Sequence, residues 1–308
     1  MLKNLLSNNL LLLIILSAIW GSAFIAIKIS VESIHPVSVA SFRLLIGALF
    51  LYFFCIFKGY RFSLSKKNIL LIIIIGLIGN FIPFFLISWS EQYIQSNTAG
   101  LLLSVAPIFT LILSHYFTKD DRFTLLKFIS IMVGSIGVLF IIGFDTLGSL
   151  TSNTQKTLIP KIAIIFSALG YVISSILAYN LKEISIMKLT TLVTISAALL
   201  SVPFMIYIEI YSQSSFDAKS LLSIFYLGLF PTAIAFLLRF HIISKAGPIF
   251  LSYVAYLIPA FAMLWGYLFL NEKINLETLI GVILILIGVF IGQEKYSMDK
   301  ITQQSIDN

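Results

Sequence analysis

SNTAGLLLSVAPIFTLILSHYF, residues 96–117, is an apolar run of spanning length with a proline deep inside it. Pro107 has no backbone N–H to donate, and its ring opposes a straight helix. In water that would argue against a helix. In lipid a spanning segment has no alternative to being helical, and neighbouring helices re-satisfy the freed carbonyl, so Pro107 marks a bend inside a bundle. The arrangement returns 152 residues later as FLSYVAYLIPAFAMLWGYLF, with Pro259 in the place of Pro107 and Phe261 in the place of Phe109. The chain therefore reads as a repeat.

Composition agrees with a membrane solvent. Hydrophobic residues make up 59% of the 308 and charged residues 11%, with a mean hydropathy of +1.04; soluble domains carry charge on about a quarter of their residues. A spanning helix needs roughly 20 apolar residues. Runs of that length fall at Leu10–Ile29, Val37–Phe57, Ile69–Trp89, Thr98–Phe117, Phe123–Ile142, Ile159–Tyr179, Leu189–Ile208, Leu221–Phe240, Ile249–Leu270 and Leu276–Gln293, which predicts an all-α integral membrane protein of ten transmembrane helices. Residues 1–142 form a first repeat of five spans, 143–158 a polar connecting loop, 159–293 a second repeat of five, and 294–308 a cytoplasmic tail. Five is odd, so the second copy must be inverted relative to the first, as in many secondary transporters.

The net charge of +7 does not mark a nucleic-acid binder, because the basic residues are scattered between spans. With a cytoplasmic N-terminus, fourteen of them fall inside and five outside, which by the positive-inside rule places both termini in the cytoplasm. The first apolar run continues to Ile29, too long for a cleaved signal segment, and reads as a retained span. The single Cys55 excludes an intrachain disulfide and any CxxC metal or redox pair.

Polar residues within spans are the candidates for function. Arg43 lies about five residues, or roughly 8 Å, inside span two. Two readings stand: it bonds helix carbonyls or the outer loop and ties the first two spans together, or it sits at a cavity edge and attracts a carboxylate or phosphate. Asn80, on a segment loosened by Gly76, Gly79 and Pro83, reads either as an interhelical hydrogen bond or as part of a site. Glu91, with Trp89 and Tyr93, marks the membrane surface or a mouth. In span six, Ser167, Tyr171, Ser174, Ser175 and Tyr179 form a hydroxyl stripe that either bonds its own backbone or lines a cavity. The acidic pair in TKDDRF, between spans four and five, reads as solvated, and Arg239 falls at the end of span eight.

Several chemistries are excluded. There is no GxxxxGK[ST] loop, no HExxH and no cysteine cluster, and the three histidines fall at span ends, so neither an enzyme nor a bound cofactor or metal is expected. All 13 acidic residues fall in loops or at span ends, leaving no midplane carboxylate to carry a proton. That favours a facilitator or exchanger driven by the substrate's own gradient.

The sequence resembles the drug/metabolite transporter superfamily, EamA type. The resemblance rests on Trp20-Gly21-x-x-Phe24, on Pro36 followed by Phe42-Arg43, and on Glu91-Gln92-Tyr93-Ile94 leading through Ala99-Gly100-Leu101-Leu102 to Pro107 and on to Gly134 and Gly137. The second half is similar through Phe236 to Arg239, Gly247, Tyr253 and Tyr256-Leu257-Ile258-Pro259, then Gly266 and Leu270-x-Glu272. Lys119-Asp120 and Asn271-Glu272 stand where the family has Gly-Glu, and Tyr171 stands near the place of a family tryptophan.

The resemblance implies a basket of helices around a central cavity that moves amino acids or related small metabolites. Trp20, Asn80, Ser104, Tyr171, Tyr253 and Tyr256 are its expected substrate-binding residues, Arg43 and Arg239 charges at the cavity or in the framework, and Pro107 and Pro259 the hinges of a rocking motion. Such a lining suits uncharged, zwitterionic or aromatic cargo. The expected partners are a small-molecule substrate and the lipid bilayer, with no nucleic acid, and the protein is a monomer or homodimer. Richness in Ile, Lys, Asn and Phe fits an AT-rich bacterial genome and hence the cytoplasmic membrane. Two other classes stay open: a nucleotide-sugar or lipid-linked carrier, and a non-transporting membrane scaffold or receptor.

Overall fold

The computed structural model describes residues 8–60, 66–119, 121, 123–142, 155–212, 214–270 and 276–306. Most of the expected connector, together with Asp120, Asn271 and Glu272, lies outside them. The described residues are helical with no strand among them.

In the first half, α1 (Asn9–Val31) starts on Asn8, whose side chain accepts from the N–H groups of Leu10 and Leu11. Helix α2 (Pro36–Phe57) opens with Pro36 in its first turn, where the missing N–H has no intrahelical partner to lose. The third span has three parts, α3 (Lys66–Gly76), a π-helical segment (Leu77–Phe81) and α4 (Ile82–Ser90), so the Gly and Pro punctuation read there produces a widened turn, not a gap. The fourth is divided into α5 (Ser96–Leu103) and α6 (Ala106–Phe117), with Pro107 in the first turn of the second piece. Helix α7 (Leu125–Ile142) closes this half.

The second half contains α8 (Gln155–Tyr179), α9 (Ile186–Tyr211) and α10 (Ala218–Leu227), then a second π-helical segment (Gly228–Ile234), α11 (Ala235–Ser252), α12 (Val254–Leu270) and α13 (Leu276–Ile306). Helix α11 is interrupted at Gly247, whose φ of 83° and ψ of 168° are not helical. A side chain there is also barred by space, since its Cβ would fall 2.6 Å from Asp121 Oδ2.

Ten spans were expected. Among the described residues seven helical stretches are long and apolar enough to cross a membrane, and Leu125–Ile141 and Leu279–Gly292 are shorter apolar helices. Part of the difference lies at residues 218–252, one continuous apolar stretch that bends at Gly247 where the sequence suggested a span ending at Phe240.

The two halves interlock: α1 packs on α12 and α10, α2 on α9 and the second π-helical segment, and α8 on α4 and the first. Helices α7 and α13 pack closely where Gly137 meets Gly281, each so near the other's carbonyl that an added Cβ would sit within 2.7 Å of it. Large apolar side chains such as Phe57, 86% exposed, cover the outside, as expected of a surface solvated by lipid. Inside, two buried apolar clusters meet at Trp20 and Tyr171, which pack against both.

Candidate functional site

A cavity of about 100 Å³ lies at that junction, bordered by Trp20, Arg43, Phe84, Tyr171, Ser175 and Arg239 among others. On a scale where one water needs about 10–15 Å³, it admits several waters or one small metabolite. Its walls come from α1, α2, α4, α5, α6, α8, α11 and α12. Trp20 and Tyr171 form a stacked pair, centroids 6.5 Å apart and planes 22° from parallel.

The second π-helical segment shows how the sequence builds this site. Pro231 cannot donate to the carbonyl four residues back, Leu227. The Thr232 hydroxyl donates to that carbonyl at 2.8 Å. The Thr232 hydroxyl oxygen in turn accepts from Arg43 Nε at 3.2 Å, and Trp20 Nε1 donates to the Pro231 carbonyl at 3.0 Å. A backbone irregularity in lipid is thus satisfied by the side chains of Thr232 and Trp20, and Trp20, with the Arg43 that Thr232 holds, borders the cavity.

Arg239 is 1% exposed and held on several sides. Its Nη1 donates to Asn80 Oδ1 at 3.3 Å, and its Nη2 to Ser174 Oγ at 2.6 Å, Ser175 Oγ at 3.2 Å and the Tyr171 carbonyl at 3.4 Å. The rings of Tyr171, Phe236 and Phe240 lie within 5.7 Å of its Cζ. The hydroxyl stripe of span six therefore divides its work: Ser167 bonds only the Ala163 carbonyl, while Ser174 and Ser175 bond the backbone and also accept from Arg239.

Arg43, 3% exposed, differs. Its Cζ lies 3.6 Å over the Phe84 ring, a close cation–π contact, and Nε bonds Thr232. Of the two readings open for it, neither the outer loop nor a helix carbonyl is its partner: it reaches from the first half into the second. Its two terminal nitrogens have no hydrogen-bond partner among the described residues. No Asp or Glu borders the cavity among those residues either, so both guanidinium charges stand without a counter-ion.

Of the residues expected to bind substrate, Trp20 and Tyr171 border the cavity, and Asn80, fully buried, stands behind it as an acceptor for Arg239. Three others stand elsewhere. The Tyr253 hydroxyl bonds Ser130 at 2.5 Å, and that of Tyr256 bonds Ser135 at 2.9 Å and the Ile131 carbonyl at 3.2 Å, so both rings point at α7. Gly134 makes room for Tyr256, because a Cβ there would fall 2.6 Å from its ring. Ser104 bonds the Leu101 carbonyl at 2.6 Å, at the break between α5 and α6. Arg239, expected at a span end, lies within the bundle because its helix continues to Gly247. The apolar Ile242 and Ile243 beyond it were the available sign.

Two buried carboxylates flank the bundle. Asp121, expected in a solvated turn, is 7% exposed: it accepts from Ile249 N at 2.8 Å, capping the turn that restarts after Gly247, and pairs with Lys127 at 2.6 Å. Glu91, just beyond α4, is fully buried. Lys28 donates at 2.5 Å to its backbone carbonyl, and among the described residues neither carboxylate oxygen has a partner of hydrogen-bonding geometry, although Lys28 and Ser96 lie near enough to act on it. Burial outweighs both neighbours and pushes this carboxyl up to about 8.

A bundle of apolar helices, broken at matching places in its two halves around a shared cavity, is the architecture of membrane transporters. Residues 8–143 and 159–291 each match the model of the EamA-like transporter family, and the chain belongs to that family. It is 24% identical over 290 residues to the uncharacterized transporter YoaV of Bacillus subtilis (strain 168), covering 94% of this chain and 98% of that one. With YdfC, an uncharacterized transporter of the same organism, it shares 29% identity over 273 residues, 88% of this chain and 86% of YdfC. A solved crystal structure with 16% sequence identity superposes with a TM-score of 0.76 over 93% of this chain and 97% of the other, which shows the shared fold. The protein is a multi-pass membrane transporter with a small-molecule substrate.

Proposed function

We propose that the protein is a secondary transporter, an exporter or exchanger, that moves amino acids or related zwitterionic or aromatic metabolites by alternating access around this cavity. One observation carries the reading: the cavity sits where interrupted helices of both halves meet, each interruption contributing a polar residue, Asn80 or Thr232, to the arginines beside it. Inverted halves rocking about Pro107 and Pro259 would expose it to each side in turn. The basic residues favour cytoplasmic termini, and the composition favours the bacterial cytoplasmic membrane.

The test is counterflow in proteoliposomes with labelled aromatic and branched amino acids. Exchange that persists with an uncoupler present supports a substrate-driven carrier. Accumulation abolished by the uncoupler would overturn that driving force, and the absence of flux across a broad metabolite panel would overturn the function.

A further inference from the structure

Two guanidinium groups border one cavity, and among the described residues no carboxylate borders it with them. Buried charges are ordinarily paired or hydrogen-bonded throughout. Arg239 comes near the second condition: Asn80, Ser174, Ser175 and the Tyr171 carbonyl hold both of its terminal nitrogens. It is a fixed charge, each terminal nitrogen already bonded within the protein. Arg43 spends Nε on Thr232 and its face on Phe84, which leaves its terminal fork uncommitted at the cavity edge.

The packing links the two arginines. Phe84, under Arg43, has its ring centroid 5.7 Å from that of Phe236, and Phe236 lies 5.7 Å from Arg239 Cζ. The cavity thus presents an anion-seeking end on an aromatic wall that includes Trp20 and Tyr171.

We propose that Arg43 grips the carboxylate of the transported molecule through its terminal nitrogens, that Arg239 adds a fixed positive field, and that the cargo is a monocarboxylate anion with an apolar or aromatic body. The planar fork matches a carboxylate in two parallel hydrogen bonds. A phosphate, with more charge and more oxygens, calls for further donors, and the terminal nitrogens of Arg239 are already held by Asn80, Ser174, Ser175 and the Tyr171 carbonyl. An ammonium group finds two cations here and no anion, so an amine lacking a carboxylate is repelled, and a zwitterion gains less than the corresponding anion. The assignment rests on the transporter reading above and shifts its preferred cargo from the zwitterion to the carboxylate anion with the same apolar or aromatic body.

Purified protein in nanodiscs is tested by thermal shift with one carbon skeleton in four forms: 3-phenylpropionate, phenylalanine, phenethylamine and 3-phenylpropanol, with inorganic phosphate alone as a fifth arm. A ligand bound to the folded state raises the melting temperature by mass action. Stabilisation by the acid, less by the zwitterion and none by the amine or the alcohol is the expected order. Arg43→Lys, which keeps the charge but loses the fork, and Arg43→Gln should each weaken binding of the acid by about tenfold or more. In Arg43→Gln the preference for acid over alcohol should disappear.

Equal stabilisation by the amine or the alcohol, or stabilisation by phosphate alone, overturns the carboxylate grip while leaving a transporter in place. A preference for acid that survives in Arg43→Gln overturns the role of Arg43. No response to any compound, joined to no flux of any of them, overturns the substrate reading and this inference together.

Discussion

Asn80 and Thr232 stand 152 residues apart at the same register of the two π-helical segments, and each accepts a hydrogen bond from an arginine of the opposite half. Arg239 reaches from the second half to Asn80, at 3.3 Å, and Arg43 from the first half to Thr232, at 3.2 Å. The repeat thus extends past helix order to the chemistry of the cavity. A widened turn turns a polar side chain inward, and the partner half supplies the cation. Any movement of one half against the other must strain or exchange these two contacts, which makes them candidates for the elements that report the conformational state.

Asn80→Asp separates stability from binding. Among the described residues the buried Asn80 amide nitrogen has no partner, whereas its oxygen accepts from Arg239. A carboxylate removes the unpartnered donor and gives Arg239 a charged acceptor, a bond worth about 1.5–3 kcal/mol against about 1 for the neutral one. The ligand-free melting temperature should rise, and affinity for an anionic ligand should fall because the positive field is partly cancelled. A calorimetric titration beside a melting curve measures both; unchanged affinity would mean that the cavity does not sense the charge of Arg239.

The bundle was legible because the bilayer makes span length, punctuation and repeat into strong constraints. Gly76, Gly79 and Pro83 mark a loosened segment in span three, and the first π-helical segment lies between Gly76 and Pro83. The site was legible at Trp20 and where a polar residue inside a span had no apolar reading, as with Asn80, Tyr171 and Arg43. Tyr253 and Tyr256 were not, because helical spacing gives the face of a hydroxyl but not its partner, and Ser130 and Ser135 lie more than a hundred residues away in sequence. The place of Arg239 depended on where its helix stops, and only the backbone conformation of Gly247 decides that.

Gly247→Ala tests that stop. The substitution places a Cβ at a φ of 83° and within 2.6 Å of Asp121 Oδ2, the atom that caps Ile249 N. Strain of this kind is of order 1–3 kcal/mol, and losing a cap removes roughly 0.5–2 kcal/mol more. Gly247→Ala should lower the melting temperature more than Asp121→Asn, which keeps an acceptor but gives up the charge on Lys127. Equal melting temperatures for Gly247→Ala and the parent would show that the turn relaxes without cost.

Glu91 gives stability a pH dependence of definite sign. Folding raises its pKa from the ordinary carboxylate range to about 8 by burial, so between those values the folded protein holds a proton that the unfolded chain has released. Stability from this group is then greatest at low pH and is lost as pH rises through the window, with a slope of at most about 1.4 kcal/mol per pH unit. Glu91→Gln, neutral at every pH, should flatten the dependence between about pH 5 and pH 8. Parallel melting-temperature profiles for the two proteins would place the titrating group elsewhere.

Pro107 and Pro259 are the last pair whose roles can be separated. Each lies just beyond a place where the helix tightens to hydrogen bonds three residues apart: Ser104 N reaches the Leu101 carbonyl at 3.1 Å, and Tyr256 N the Tyr253 carbonyl at 3.1 Å. The two bent spans also face one another, since a Cβ on Gly100 would stand 3.9 Å from Pro259 Cγ. Neither proline is among the residues bordering the cavity, so replacing one should alter the bend without touching a ligand. Alanine restores the N–H and removes the ring that opposes a straight helix. If the bends let the halves rock, Pro107→Ala and Pro259→Ala should insert normally and bind ligand with unchanged affinity, yet carry it several times more slowly, since gating motions of this kind set many turnover rates. Counterflow measured beside equilibrium binding on the same preparations separates the outcomes: slowed flux with intact affinity identifies a hinge, weakened affinity identifies a packing role, and unchanged flux in both variants removes the prolines from the mechanism.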